Sequence, residues 1–291
     1  GLRNDFGLAR GGRVAIVMRN RPEYLEAMFG IWHAGLVAVP VNARLHRDEI
    51  KYILEHSETS LVITDGEHAD DVLPLVDEVA TLKHAVLAPG VQWDRLVTAS
   101  PVGVADRVAD DAAWLFYTSG TTGRPKGATL TNRNLLMASL SYFADIDPVS
   151  PGDSILHAAP LSHGSGLYGL PHIAKGAVSV LKTIIYGGAP MYLADLEDAL
   201  NVFGPKLAQI YGQGETPMTI TALSKADHAD RSHPNWRNRM QSVGTIRTDV
   251  EVRVVDEHDH ELPIGEIGEV VVRGAVVMAG YLNNPEATEE T

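Results

Sequence analysis

Residues 117–127 read Tyr-Thr-Ser-Gly-Thr-Thr-Gly-Arg-Pro-Lys-Gly, and they begin at the end of a short apolar run, Trp114–Tyr117, that is typical of a strand. Small residues let backbone N–H groups converge on one point, hydroxyls add donors, and Lys126 supplies a point charge for a phosphate. This is not a Walker A loop, because Lys126 follows Pro125 and precedes Gly127. The stretch therefore predicts a phosphate-binding loop at the carboxyl end of a strand, rather than an ordinary polar surface turn.

Strand-like and helix-like segments alternate on both sides of this loop. The other predicted strands are Val14–Met18, Val37–Val41, Leu61–Thr64, Ser154–Ala158, Thr183–Tyr186 and Leu207–Tyr211. The predicted helices are one that Pro22 starts and Gly35 ends, with Asn20 as its cap, and then Asp48–His56, Asp71–Leu82, Asn132–Phe143 and Met191–Phe203. Regular alternation of this kind predicts a parallel sheet with helices packed on its faces.

The pattern changes after about residue 240. Val250, Val252 and Val254 alternate with charged residues, a polar turn follows, and Glu269–Arg273 is again strand-like. This predicts a β-hairpin, and with it a small antiparallel or barrel-like unit near residues 241–291.

Composition excludes several classes of protein and site. Of 291 residues, 45% are hydrophobic and 21% charged, as in ordinary globular proteins. The net charge of −13 argues against wrapping nucleic acid or lying on an anionic membrane. The chain has no cysteine, which excludes disulfides, thiolate nucleophiles and zinc–thiolate sites. No apolar stretch is long enough to span a bilayer and no secretory signal is visible, so we expect a cytoplasmic protein.

Five motifs, in the same order along the chain, resemble those of the adenylate-forming superfamily of acyl-CoA synthetases, luciferases and peptide-synthetase adenylation domains. They are Thr118–Lys126, His163-Gly164, Gly187-Gly188-Ala189-Pro190, Gln209–Glu215, and Gly265–Thr288 with its Gly-Tyr-Leu-Asn-Asn-Pro run. The resemblance covers nearly the whole chain. It implies an α/β fold with parallel sheets and flanking helices in an αβαβα arrangement, plus a distorted antiparallel β-barrel.

The resemblance also implies a two-step reaction. A carboxylate attacks the α-phosphate of ATP to give an acyl-adenylate and pyrophosphate, and a thiol, usually that of coenzyme A, then displaces AMP. The first step needs neutralisation of phosphate charge, which suits backbone donors, a lysine and Mg²⁺.

Site residues are carried over by motif position. The phosphates of ATP would be held by Thr118, Ser119, Gly120, Thr121, Thr122, Gly123 and Lys126. One wall of the adenine slot would be Gly187, Gly188, Ala189 and Pro190, and Tyr211 would stack on the base. Gln209 matches a position beside the nucleotide, and Gly212, Gln213 and Gly214 are further expected nucleotide-binding residues. Thr118 and Glu215 are the expected Mg²⁺ ligands, and Lys126, His163 and Glu215 the expected catalytic residues. One departure is Gly214, where the family usually has Thr, so a hydroxyl contact to the α-phosphate is missing.

The stretch from Leu161 to Gly169 admits two interpretations. Gly164, Gly166 and Gly169 formally match a dinucleotide fingerprint, which would indicate a nucleotide oxidoreductase. A full fingerprint needs an acidic residue about 20 positions on, and none occurs between Asp153 and Asp195. The resemblance instead places the acyl carboxylate at His163, with Gly164, Ser165 and Gly166 lining the acid site.

The same stretch bears on the acid. Amino-acid-activating relatives place an Asp here to pair with the substrate ammonium, whereas this chain has Gly and Ser. A buried unpaired ammonium is costly, so an acid with a neutral tail is favoured, a fatty acid first and an aryl acid second. The cluster His258-Asp259-His260-Glu261 resembles a set of metal ligands, but its position in the predicted hairpin turn favours a solvated turn.

Two parts of the family pattern are missing, one near residues 180–181 and the other a C-terminal lid. We therefore expect these residues to be part of a longer protein. Within them, residues 1–240 would carry the ATP and acyl sites and residues 241–291 would be the β-rich end of the same domain. The prediction is an ATP-dependent carboxylate–CoA ligase using ATP, Mg²⁺ and coenzyme A, compatible with a homodimer. A non-catalytic nucleotide-binding module is the alternative from another class.

Overall fold

The structure is a computed structural model of the chain, and it describes residues 1–118, 124–157, 159–176, 180–189 and 191–291. The strands are β1 (Arg13–Val17), β2 (Val37–Pro40), β3 (Leu61–Thr64), β4 (His84–Leu87), β5 (Ala112–Thr118), β6 (Lys126–Thr131), β7 (Asp153–Ile155), β8 (Val180–Gly187), β9 (Leu207–Tyr211), β10 (Thr221–Leu223), β11 (Thr245–Ile246), β12 (Val250–Val255) and β13 (Glu269–Gly274). The helices are α1 (Pro22–His33), α2 (Arg47–His56), α3 (Ala69–Val72), α4 (Val91–Val97), α5 (Asn132–Asp145), α6 (Gly164–Ala174), α7 (Leu193–Phe203), α8 (Lys225–Ala229), α9 (Trp236–Met240) and α10 (Pro285–Glu289). None of the described helices has the length and hydropathy needed to cross a bilayer.

One compact unit, the first unit, comprises residues 1–132, 157–166 and 278–291. Its sheet has the strand order β4-β3-β1-β2-β5-β6, and β4, β3, β1, β2 and β5 run parallel. All residues of β2 and β3 are buried, which explains their continuous apolar sequences. The predicted parallel sheet with helices beside it is thus confirmed.

The first unit also corrects two predictions and adds one strand. Asn20 is not the cap of α1, because Arg21 occupies that position and makes no side-chain capping bond. The segment 71–82 is not one amphipathic helix: α3 ends at Val72 and a 3₁₀ turn follows at Leu73–Asp77. Pro74 lacks an N–H and clashes with the preceding turn, so it prevents a continuous helix. The sequence analysis also missed β6, which pairs antiparallel with β5.

A second unit comprises residues 133–156 and 167–277. Its five-stranded sheet has the order β11-β10-β9-β8-β7, with β7, β8 and β9 parallel and β9, β10 and β11 antiparallel. Tyr142 of α5, Tyr168 of α6 and Ile210 of β9 lie in its core. The predicted hairpin is confirmed, since β12 and β13 pair antiparallel from Val250 to Val255. The proposed division of the chain at residue 240 stays a prediction.

Candidate active site

The predicted phosphate loop joins two paired antiparallel strands. Thr118, the last residue of β5, is in register with Lys126, the first residue of β6. The predicted site residues that lie outside the described part of the chain are Ser119, Gly120, Thr121, Thr122, Gly123 and Pro190. Thr118 and Lys126 are both half-buried. The two described ends of the loop therefore lie side by side at one edge of the first unit's sheet.

Lys126 is flanked by the segment that carries the Gly-Tyr-Leu-Asn-Asn-Pro motif. The Thr129 N–H donates to Gly280 O at 2.9 Å, and the Leu282 N–H donates to Gly127 O at 2.9 Å. This pairing extends the sheet edge and sets the Lys126 Nζ 5.0 Å from the ring centroid of Tyr281, in a cation–π contact. Two motifs that are about 150 residues apart in sequence thus meet at one lysine.

Two side chains of α2 reach the same loop, and the sequence analysis missed both. The Tyr52 hydroxyl donates to Pro125 O at 3.4 Å. His56 Nδ1 lies 2.8 Å from the Tyr117 hydroxyl, and burial lowers the pKa of His56 and raises that of Tyr117. Because residues four apart share one face of a helix, the spacing of Tyr52 and His56 predicts that both point the same way. The surrounding sequence does not indicate what this face of the helix contacts.

His163 lies immediately before α6 and is largely enclosed. Its Nδ1 is 2.9 Å from the Ser162 hydroxyl, and its ring packs edge-on against Phe116 with centroids 5.5 Å apart. Burial lowers the pKa of His163, since a low-dielectric surrounding disfavours the charged form. The imidazole is therefore neutral near pH 7 and can share a hydrogen bond with a neighbouring oxygen.

Gly166 allows close packing in the first turn of α6. A Cβ on Gly166 would lie 2.1 Å from Leu161 O and 3.0 Å from the ring of Trp114. Gly164, Gly166 and Gly169 all lie inside α6, whereas a dinucleotide fingerprint needs its first glycine in the tight turn between strand and helix. This placement removes the structural basis for the oxidoreductase interpretation. Ser165 Oγ is 2.8 Å from His157 Nδ1.

The predicted adenine-stacking residue Tyr211 ends β9, where a compact loop leads into β10. The Gln213 N–H donates to the Thr216 hydroxyl at 3.2 Å, and the Met218 N–H donates back to Gln213 O at 3.0 Å. A Cβ on Gly212 would lie 2.6 Å from Met218 Cα, so this position needs glycine for the loop to close. Thr216 does not replace the hydroxyl missing at Gly214, because it is buried and bonded within the loop.

A buried polar group supports this loop from beneath, and the sequence analysis did not identify it. The Tyr168 hydroxyl donates to Met218 O at 2.8 Å. Arg247 is buried, with its Nη1 3.4 Å from the Tyr168 hydroxyl and its Nε 3.6 Å from an oxygen of Asp145. No sequence pattern marks Arg247, because its partners come from α5 and α6, about 80 to 100 residues earlier.

The predicted adenine wall lies at the end of β8. Gly187, Gly188 and Ala189 are exposed, and a Cβ on Gly187 would lie 2.4 Å from Ile210 O. Gln209 lies half-buried on β9, with its side-chain amide placed to donate to the Ser242 and Val243 carbonyls at 3.3 Å each. That amide is thus engaged in packing within the second unit.

The His258–Glu261 cluster is an exposed turn, as predicted. The N–H groups of His258 and His260 donate to Asp256 at 2.8 and 2.9 Å. Across the described ranges, no group of three or more His, Cys, Asp or Glu side chains is placed to hold a metal ion. The predicted Mg²⁺ ligands Thr118 and Glu215 lie in the first and second unit, respectively.

Comparison with known proteins gives consistent matches. The family model described as "AMP-binding enzyme" matches residues 1–180 and 171–282. A feruloyl-CoA synthase from Amycolatopsis is 31% identical, over 98% of this chain and 64% of its own length. The medium/long-chain-fatty-acid–CoA ligase FadD8 of Mycobacterium tuberculosis is 26% identical, over 98% of this chain and 59% of its own length. The ATP-bound crystal structure of MatB from Rhodopseudomonas palustris superposes with a TM-score of 0.85 at 26% identity, covering 99% of this chain and 65% of MatB. The chain thus spans less than two thirds of the length of these proteins.

Proposed function

Because the chain belongs to the AMP-binding enzyme family, we propose that it forms the nucleotide- and acid-binding part of an ATP-dependent carboxylate–CoA ligase. A carboxylate oxygen attacks the α-phosphorus of ATP and pyrophosphate leaves. The thiol of coenzyme A then attacks the acyl carbon and AMP leaves, which gives the thioester. The observation that carries this proposal is the family match along residues 1–180 and 171–282, together with relatives that are named CoA ligases.

In this proposal the loop from Thr118 to Gly123 and Lys126 hold the β- and γ-phosphates. Adenylation needs stabilisation of negative charge that develops on the departing pyrophosphate, and a preorganised cation provides this without reorganising solvent. The contact between Lys126 and Tyr281 supports this role, because the cation–π attraction restrains the position of the ammonium.

His163 is proposed to orient the carboxylate for attack, beside Gly164, Ser165 and Gly166. A neutral imidazole suits this task, since a buried imidazolium would pair with the carboxylate and weaken its nucleophilicity. The lowered pKa of His163 supports the neutral form near pH 7.

The adenine is proposed to lie between the segment Gly187–Pro190 and the ring of Tyr211, and Gln209, Gly212, Gln213 and Gly214 are proposed to border the nucleotide. Thr118 and Glu215 are the proposed Mg²⁺ ligands, and oxygen donors of these types are those that Mg²⁺ prefers. When bound, Mg²⁺ would neutralise phosphate charge. The support for these roles is the position of each residue within the family's motifs.

A fatty acid is the proposed substrate, and an aryl acid is the second candidate. The absence of a carboxylate side chain at positions 164–166 argues against an ammonium-bearing acid. FadD8 supports the fatty-acid proposal, while feruloyl-CoA synthase favours the aryl alternative. We also propose that the protein is cytoplasmic, where both ATP and coenzyme A are present. A homodimer is a further proposal.

ATP–pyrophosphate exchange, measured on the product of the complete gene, tests this function. The panel comprises fatty acids of graded length, benzoate, cinnamate, ferulate and amino acids. Exchange with one class of neutral-tailed acid is expected and would identify the substrate class. ATP binding without exchange for any acid would refute the ligase proposal and favour the non-catalytic nucleotide-binding module.

A further inference from the structure

Asn20 lies in the loop between β1 and α1, but its side chain makes no helix cap and instead holds a distant segment. Its Nδ2 donates to His157 O at 2.9 Å and to Ala159 O at 2.8 Å. Its Oδ1 accepts from the Leu161 N–H at 2.8 Å. Both donor positions and the acceptor of one planar amide are thus bonded to backbone groups between residues 157 and 161.

Each end of the held segment contacts a residue of the proposed acid site. His157 shares a hydrogen bond with Ser165, and Leu161 O faces Gly166 so closely that no side chain fits there. Between them, Pro160 O accepts from the His163 N–H at 3.1 Å. A displacement of His157, Pro160 and Leu161 is therefore passed directly to His163, Ser165 and Gly166.

We propose that Asn20 is a positioning residue for acid binding: its amide fixes the backbone at His157, Ala159 and Leu161, and through it the three acid-site residues that follow. The inference rests on the proposed function of His163. A side chain with only a structural role could have bonded to any backbone group between β7 and α6. Asn20 bonds instead at the three backbone positions that surround the contacts to the acid site.

These three hydrogen bonds of the Asn20 amide, called the clamp below, require asparagine. Aspartate keeps the acceptor for the Leu161 N–H but replaces the two donors with an oxygen that faces the His157 and Ala159 carbonyls. Alanine removes all three bonds. Asn42 provides a matched control, because it borders the same 280 Å³ pocket as Asn20 and Ser162 but accepts a local bond, from the Arg44 N–H at 3.1 Å.

The test compares Asn20→Ala, Asn20→Asp and Asn42→Ala with the parent protein in ATP–pyrophosphate exchange. Loss of the clamp is expected to raise KM for the acid about 10-fold in Asn20→Ala and at least as much in Asn20→Asp. KM for ATP is expected to stay within about two-fold, since a selective change in one KM reports one binding site. Asn42→Ala is expected to match the parent in both.

A second readout needs no turnover. The imidazole of His163 is titrated by NMR, with its signal assigned by the His163→Gln variant. In Asn20→Ala, looser packing is expected to move the pKa of His163 up towards the ordinary value for histidine. An unchanged titration together with an unchanged KM for the acid refutes the inference, as does an equal rise of both KM values.

These outcomes separate the two proposals. If no acid supports exchange with the parent protein, the proposed function fails, and the inference fails with it as a statement about acid binding. The NMR titration then still decides whether Asn20 positions His163. If exchange occurs but neither Asn20 variant affects KM for the acid, the proposed function stands and this inference is wrong.

Discussion

Replacing Gly166 with alanine should destabilise the protein, and the size of the effect can be worked out from the geometry of α6. The added Cβ would lie 2.1 Å from Leu161 O and 3.0 Å from the Trp114 ring. The first neighbour is backbone, so it cannot move away by a change of rotamer, and the start of α6 must shift. Overpacking of this kind costs about 1–3 kcal/mol, and contact with a backbone atom places this site near the upper limit, about 3 kcal/mol.

The same substitution at Gly30 is the matched control. Gly30 lies inside α1, is exposed, and a Cβ there would meet nothing within 4 Å. Alanine should stabilise this helix by about 0.5–1 kcal/mol, because it loses less backbone entropy on folding. The two Gly→Ala variants are therefore expected to change stability in opposite directions.

Urea denaturation followed by tryptophan fluorescence measures both variants, and Trp114 lies next to Gly166 as a local reporter. A loss of about 3 kcal/mol corresponds to a fall in the urea midpoint of about 1–3 M, at an m-value of about 1–3 kcal/mol/M. An unfolding midpoint for Gly166→Ala at or above that of the parent would refute the steric argument. A shift of both variants in the same direction would show that the backbone relaxes more readily than the contacts imply.

Three further outcomes are expected. Lys126→Ala should slow ATP–pyrophosphate exchange about 10²-fold through lost charge stabilisation, and unchanged exchange kinetics would exclude Lys126 from the phosphate site. Glu215→Ala should raise the Mg²⁺ concentration for half-maximal exchange about 10-fold, whereas an identical Mg²⁺ titration would rule out a role as ligand. Burial lowers the pKa values of His56, His163 and His228, so the folded protein binds fewer protons than the unfolded chain as the pH falls below the unfolded value of about 6.5. The free energy of unfolding should therefore decrease between pH 7.5 and 5.5, and less steeply in His163→Gln; a parent that gains stability on acidification would contradict this sign.

Some features of the site could be predicted because their signals are local. The run from Thr118 to Gly127 combines small residues, hydroxyls and a lysine, and its position after a strand follows from the apolar residues before it. The predicted strand Leu207–Tyr211 has the same bounds as β9 in the structure. A short, largely apolar run is enough to predict a strand that lies between two other strands of a sheet. The turn at residues 256–261 could likewise be predicted, because alternating valines precede these polar residues and the strand-like segment Glu269–Arg273 follows them.

Local signals failed where a residue's partner lies far along the chain. Asn20 before Pro22 has the composition of a helix start, yet its amide bonds to carbonyls 137 and 139 residues away. The strand β6 pairs with β5 on one side and hydrogen-bonds to the Gly280–Leu282 segment on the other. The residues of Lys126–Thr131 show no pattern that would predict this second neighbour. Pro74 was the exception, since its effect on the predicted helix at 71–82 is local and was overlooked.

Three features follow from local sequence signals: the α/β class of the protein, the order of most of its strands and helices, and the motifs that associate it with nucleotide chemistry. Hydrophobic periodicity and glycine or proline placement act within a few residues, so they can be read without the fold. The side chains that support the site are known only from the folded chain: Tyr281 beside Lys126, Tyr168 and Arg247 beneath the Tyr211 loop, and Asn20 on the segment before His163. The same types of hydrogen-bond donor and acceptor occur at many positions along the chain, so the sequence does not indicate which of them will pair. The topology of the folded chain brings particular donors and acceptors within bonding distance.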